Sequence, residues 1–190
     1  MIKILKFLFL CLAISTLLNG GPVMADEKEI IHMTLKDGVV KIETRPDLAP
    51  KHVAQIKQLI SEGQYDGVVF HRVIDGFMAQ TGDVEFGNSS NDKFNMSRAG
   101  TGGSNLPNIP AEFSDANHGR GALSMARAQD PNSANSQFFI CLEAAPHLDR
   151  QYSVFGKVIK GMEFVDKIKR GDPNSGAVKN PDKIISIRSK

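Results

Sequence analysis

The sequence predicts a mostly-β domain, an antiparallel barrel with helices covering its open ends. Three observations lead there. Short runs rich in β-branched and aromatic residues, bounded by Gly, Pro, Asp and Asn, recur about eight times. Only two stretches carry helical spacing. Strands and helices do not alternate as a parallel sheet would require, and no internal repeat is present.

The elements follow in order. Ile30 to Leu35 and Val39 to Thr44 are alternating apolar runs joined at Asp37-Gly38, a hairpin signal. Pro50 opens a helix that runs to about Glu62, with Val53, Ile56, Leu59 and Ile60 on one stripe and Gly63 stopping it. Val68 to Ile74 and Phe77 to Thr81 form a second hairpin across Asp75-Gly76. Alternation then puts Phe70, Arg72 and Ile74 on one face and His71 and Val73 on the other. Val84 to Phe113 has no period and is rich in Gly, Asn and Ser, which marks a functional loop region. Further strands are expected over Gly121 to Ala126, Ser136 to Leu142, Ser153 to Ile159 and Ile184 to Ile187. Adjacent Phe138 and Phe139 must face opposite ways on a strand. A short helix is expected over Gly161 to Lys169, with Met162, Val165 and Ile168 as its stripe.

The first 25 residues have the layout of a secretory signal peptide, with an uncleaved anchor as the rival reading. Lys3 and Lys6 precede an uncharged apolar run, Phe7 to Leu18, which is too short to span a bilayer comfortably. Asn19-Gly20-Gly21-Pro22 breaks it, and Val23-Met24-Ala25 suits a cut before Asp26. Removal of Lys3 and Lys6 with no acidic residue takes the formal charge from +2 to 0. Residues 26–190 therefore form one domain with no electrostatic footprint for nucleic acid and no stable membrane insertion. Export, to a periplasm or to the medium, is expected. Only Cys141 remains, inside a buried-strand pattern, so no intramolecular disulfide is possible.

Several other motifs carry weaker readings. Gly100-Thr101-Gly102-Gly103 is followed by no Gly-Lys-Ser/Thr and no helix, so it is a flexible groove rim rather than a phosphate cradle. The five histidines, His32, His52, His71, His118 and His147, show no metal-ligand spacing, and no metal or cofactor is expected. Ser124, His147 and Asp149 lack a nucleophile elbow, which argues against a hydrolase. What stands out is Arg72 on a hairpin that carries Phe77, Met78 and Gln80. It is a permanent cation beside an apolar patch, without a nucleophile, suited to polarising a bound group without cleaving it.

Five ordered segments together resemble the cyclophilin-type peptidyl-prolyl cis-trans isomerases. They are Phe70 to Asp83, Gly100-Thr101-Gly102-Gly103, Leu123-Ser124-Met125-Ala126, Ser136-Gln137-Phe138-Phe139-Ile140 and Val154-Phe155-Gly156-Lys157-Val158. The likeness covers nearly all of Ile30 to Ile187, and the short loops resemble the bacterial branch. It implies a closed eight-stranded antiparallel β-barrel capped by two α-helices, with the site on the outer barrel face. It implies catalytic roles for Arg72, Phe77 and Gln80. It implies substrate binding by Met78, Ala126, Arg127, Gln137, Phe139, His147, Leu148 and Tyr152. Three of these depart from the best-studied eukaryotic members: Arg127 stands for Asn, His147 for Trp and Tyr152 for His. Loss of the indole donor implies weak affinity for cyclosporin. The expected partners are unfolded or flexible proline-containing polypeptides, met by a monomer that assists folding of exported proteins. The rival reading is a proline-peptide-binding chaperone module with little turnover.

Overall fold

The computed structural model describes residues 28–190. The expected signal peptide lies outside the described residues. The first hairpin forms as its alternation requires. β1 (Ile30–Leu35) pairs antiparallel with β2 (Gly38–Thr44), burying Ile31, Met33 and Leu35 against Val40 and Ile42. α1 (Pro50–Ser61) follows, and its stripe of Val53, Ile56, Leu59 and Ile60 joins the same core. Glu112, far along the chain, accepts the first-turn N–H groups of Lys51 and His52 at 3.1 Å each and so caps the helix.

The remaining strands are β3 (Arg72–Ile74), β4 (Met78–Thr81), β5 (Ala122–Met125), β6 (Phe138–Cys141), β7 (Val154–Lys160) and β8 (Ser186–Ser189). They form one eight-stranded sheet in the order β3-β4-β6-β5-β7-β2-β1-β8, and each ladder is antiparallel. The two edges meet without a regular ladder. Gly67 donates to Ile184, Ile184 to Val68, and Phe70 to Asp182, at 2.8, 2.9 and 2.9 Å. These bonds join the segments that precede β3 and β8 and roll the sheet into the expected barrel, while the free edge of β3 is covered by Gly176, whose carbonyl accepts from Val73 at 2.8 Å.

That seam changes one expectation. The chain from Val68 to His71 is not continuous strand, so alternation fails there. Phe70 and Val73 both enter the main core, while Arg72 and Ile74 face outward. His71 is buried as well. The second helix is also shorter than expected. α2 is only Met162–Val165, after which Lys167 and Ile168 donate three residues back. The stripe spacing of three is the period of that tighter turn, not of an α-helix.

Strand alternation separates two cores. Phe138 points inward, edge-on to Tyr65 at 5.7 Å and to Phe155 at 5.9 Å. Phe139 points outward into a smaller cluster with Met78, Cys141, Ala145 and Leu148. Among the described residues no helix is long and apolar enough to cross a membrane.

Candidate active site

The outer cluster is built by register. Arg72 on β3 stands opposite Gln80 on β4, Gln80 opposite Phe139 on β6, and Phe139 opposite Ser124 on β5. One row of outward side chains therefore crosses four strands. Residues 143–152 fold over it and bring down Ala145, Leu148 and Tyr152. A hollow of about 220 Å³ remains between them. Met78, Phe139 and Leu148 line it as buried apolar surface, with Phe77 and Tyr152 partly exposed beside them. Arg72, Gln80, Ala126 and Arg127 complete the lining. A second hollow of about 280 Å³ adjoins it, shares Gln80, Ala126 and Arg127, and adds Gln137 and Gly100 to Gly102.

The floor is braced from below. Phe139 stacks on His118 with ring centroids 6.2 Å apart and meets Tyr152 edge-on at 5.9 Å. His118 Nδ1 lies 2.9 Å from Asp149 Oδ1, and its Nε2 lies 3.0 Å from Ser124 Oγ. Hydrogen bonds from the His118 backbone N–H and ring hold the Asp149 carboxyl below the usual carboxylate range. The serine hydroxyl is fully buried and donates to the Ser153 carbonyl at 3.0 Å. Ser124, His118 and Asp149 thus connect as a triad would, but the serine is sealed in and serves as scaffolding. The histidine is His118 and not His147.

Arg72 is held at two of its nitrogens. Its Nε donates to the Ser175 carbonyl at 3.2 Å, and its Nη1 approaches Gln80 Oε1 at 3.4 Å and Met78 Sδ at 3.9 Å. Nη2 has no hydrogen-bond partner among the described residues. Gln80 Nε2 donates to Gln137 Oε1 at 3.1 Å. Arg127 is also tied down: it donates to the carbonyls of Ala128, Gln129 and Gln151, and its guanidinium lies 4.5 Å from the Tyr152 ring centroid. His147 lines neither hollow. It is exposed and packs at a tilt of 40° against Phe77, ring centroids 5.3 Å apart, as an outer brace. Among the described residues no group of three or more His, Cys, Asp or Glu comes together to hold a metal.

Three contributors had little signal in the sequence. Ser175 reaches Arg72 from a loop about a hundred positions away, and His118 meets Phe139 from a segment without periodicity. Asp83 belongs to a recognisable segment, but two of its four backbone partners, Gly100 and Gly102, lie seventeen and nineteen positions away.

A family model described as cyclophilin type peptidyl-prolyl cis-trans isomerase/CLD matches residues 30–189. The chain is 62% identical over 162 residues to a probable peptidyl-prolyl cis-trans isomerase of Brucella abortus, covering 85% of this chain and 82% of that one. It is 40% identical over 143 residues to peptidyl-prolyl cis-trans isomerase B of Bacillus subtilis, covering 74% and 91% respectively. A crystal structure of a Cryptosporidium parvum cyclophilin-type isomerase, in the presence of the dipeptide Ala-Pro, is similar with a TM-score of 0.71 and 28% identity, covering 85% and 98%. The chain belongs to the cyclophilin-type peptidyl-prolyl cis-trans isomerase family, and it is an enzyme of that type.

Proposed function

We propose that the hollow walled by Phe77, Met78, Phe139 and Leu148 binds the proline ring of a flexible polypeptide, and that Arg72 is the catalytic donor. The reaction breaks no bond. Twisting an Xaa-Pro amide sacrifices resonance, so uncatalysed exchange takes tens of seconds. Acceleration by about four decades needs roughly 5–6 kcal/mol of selective transition-state stabilisation. As the bond twists, the prolyl nitrogen becomes pyramidal and regains its lone pair. A fixed cation that donates to that nitrogen meets charge density absent from both planar ground states.

The observation that carries this reading is how Arg72 is held. Nε and Nη1 are anchored on Ser175, Gln80 and Met78, and Nη2 is left as an unused donor at the edge of an apolar floor. The apolar walls exclude water and strengthen that bond. Gln80 orients the guanidinium. Ala126 leaves room for the peptide backbone, Gln137 contacts it from the adjoining hollow, and Arg127 and Tyr152 close the rim.

The clients are unfolded or flexible proline-containing chains of the exported protein pool, where the enzyme acts as a monomer and assists folding. The signal-like segment before Asp26 supports export. A purified mature form whose mass still includes Lys3 and Lys6 would contradict it. A protease-coupled Xaa-Pro assay tests the catalytic assignment and separates the enzyme from a passive binding module. Arg72→Ala should lower kcat by about 10²–10³, while peptide affinity falls far less. Equal rates for both proteins would remove Arg72 from the mechanism.

A further inference from the structure

The Gly-rich loop at Gly100 to Gly103 and the buried Asp83 have no part in the chemistry above. We propose that Asp83 is a positioning residue for Arg72, acting through that loop and through Gln137 and Gln80. This rests on the assignment of Arg72 as donor.

Asp83 is fully buried. A carboxylate persists in such a place only when its oxygens are satisfied. Here backbone N–H groups do so. Oδ1 accepts from Glu85 and Phe86 at 3.1 and 2.8 Å. Oδ2 accepts from Gly100 and Gly102 at 2.7 and 2.9 Å. A run of glycine N–H groups that could cradle a phosphate instead cradles an anion of the protein itself. The close approach requires glycine. Gly100 has φ +98°, and a Cβ there would lie 2.9 Å from the His71 ring. A Cβ on Gly102 would lie 2.5 Å from Asp83 Oδ1.

With their N–H groups held by Asp83, Gly100 and Gly102 turn their carbonyls to Gln137, whose Nε2 donates to them at 3.0 and 2.8 Å. Carbonyls only accept, so Gln137 must present its amide nitrogen to the loop. That leaves its Oε1 facing Gln80, which must answer with Nε2. Gln80 is then left with Oε1 toward Arg72 Nη1. Each step permits one orientation. A flipped Gln80 would aim an amide N–H at a guanidinium N–H and push Arg72 out of place. Asp83 therefore settles, through two glutamines, which end of Gln80 faces the catalytic cation.

A double-mutant cycle tests this, with kcat and KM measured on an Xaa-Pro peptide for Asp83→Asn, Gln80→Leu and the pair. Asn keeps the shape but turns one acceptor oxygen into a donor, against two of the four N–H groups. Asp83→Asn alone should lower kcat by about tenfold with KM little changed, and should also lower the unfolding midpoint, because two buried N–H groups lose their acceptor. In the Gln80→Leu background it should add less than about twofold, because members of one relay do not act additively. A kcat near wild type, or the same factor lost in both backgrounds, would overturn the proposal. If Asp83→Asn does not fold, Gly102→Ala replaces it in the same cycle, with the same supporting and opposing results. Arg72→Ala is measured alongside. If it retains wild-type turnover, the donor assignment fails and the relay with it. If it loses turnover while Asp83→Asn does not, only the relay fails.

Discussion

Lowering the pH from 7 to 4.5 should protonate His71 in the unfolded chain while leaving it neutral in the native one. His71 is 7% exposed, and neither ring nitrogen has a hydrogen-bond partner. Burial lowers its pKa from 6.5 to about 4, against an opposing pull from Asp83 and with a smaller contribution from Arg72. Between those values the unfolded chain binds a proton that the native state does not, so stability rises with pH. The contribution is complete above 6.5, is lost as the pH falls toward 4, and is constant below that. A gap of about 2.5 units at about 1.36 kcal/mol each gives roughly 3 kcal/mol in all, of which about 2 kcal/mol falls between pH 7 and 4.5. The assay is urea unfolding of the wild type and of His71→Gln across that range. His52, whose pKa burial also lowers, is present in both proteins and cancels. The paired carboxylates Asp66 and Asp182, held below the usual range, lose their contribution only at lower pH and cancel likewise. The gap between the two curves should change by about 2 kcal/mol. Parallel curves would refute the argument that His71 is held neutral by burial.

Phe138→Ala should cost about 3–5 kcal/mol in urea unfolding, because its ring is 1% exposed between Tyr65 and Phe155; a loss under about 1 kcal/mol would mean that this interior collapses around the gap. Cyclosporin should not inhibit the purified enzyme at nanomolar concentration, and His147→Trp should tighten it by about tenfold; nanomolar inhibition of the wild type would contradict this. Cys141, buried and with its thiol pushed up to about 12 by burial, should resist thiol reagents at neutral pH until the protein unfolds. Rapid labelling of the native protein would count against the packing described.

Features with local causes were legible in the sequence. Asp37-Gly38 and Asp75-Gly76 mark real hairpins, and the Phe138-Phe139 pair divides between two cores because side chains alternate on a strand. Arg72, Phe77, Met78 and Gln80 lie within one hairpin, so their proximity could be read from spacing alone. Ala126, Phe139, Leu148 and Tyr152 could be joined to that hairpin as one site only through the family resemblance, since their meeting depends on β6, β5 and a covering loop. The barrel seam was not legible, because its bonds join residues 67–70 to 182–184 without a ladder. Phe70 turns inward for that reason. The glycines of Gly100 to Gly103 do hint at an anion cradle, but the anion they hold is Asp83. A side chain seventeen positions away leaves no periodic trace.

The central claim is that a held guanidinium, and not merely a positive charge, stabilises the twisted bond. On-enzyme exchange of a saturating Xaa-Pro peptide, followed by NMR for the wild type and Arg72→Lys, tests it most directly. Lysine keeps the charge but cannot be anchored at two nitrogens while a third donates. The bound cis-trans exchange rate should fall by about tenfold or more, with the bound population unchanged. An exchange rate equal to that of the wild type would show that charge alone suffices, and the account of Arg72 would be wrong.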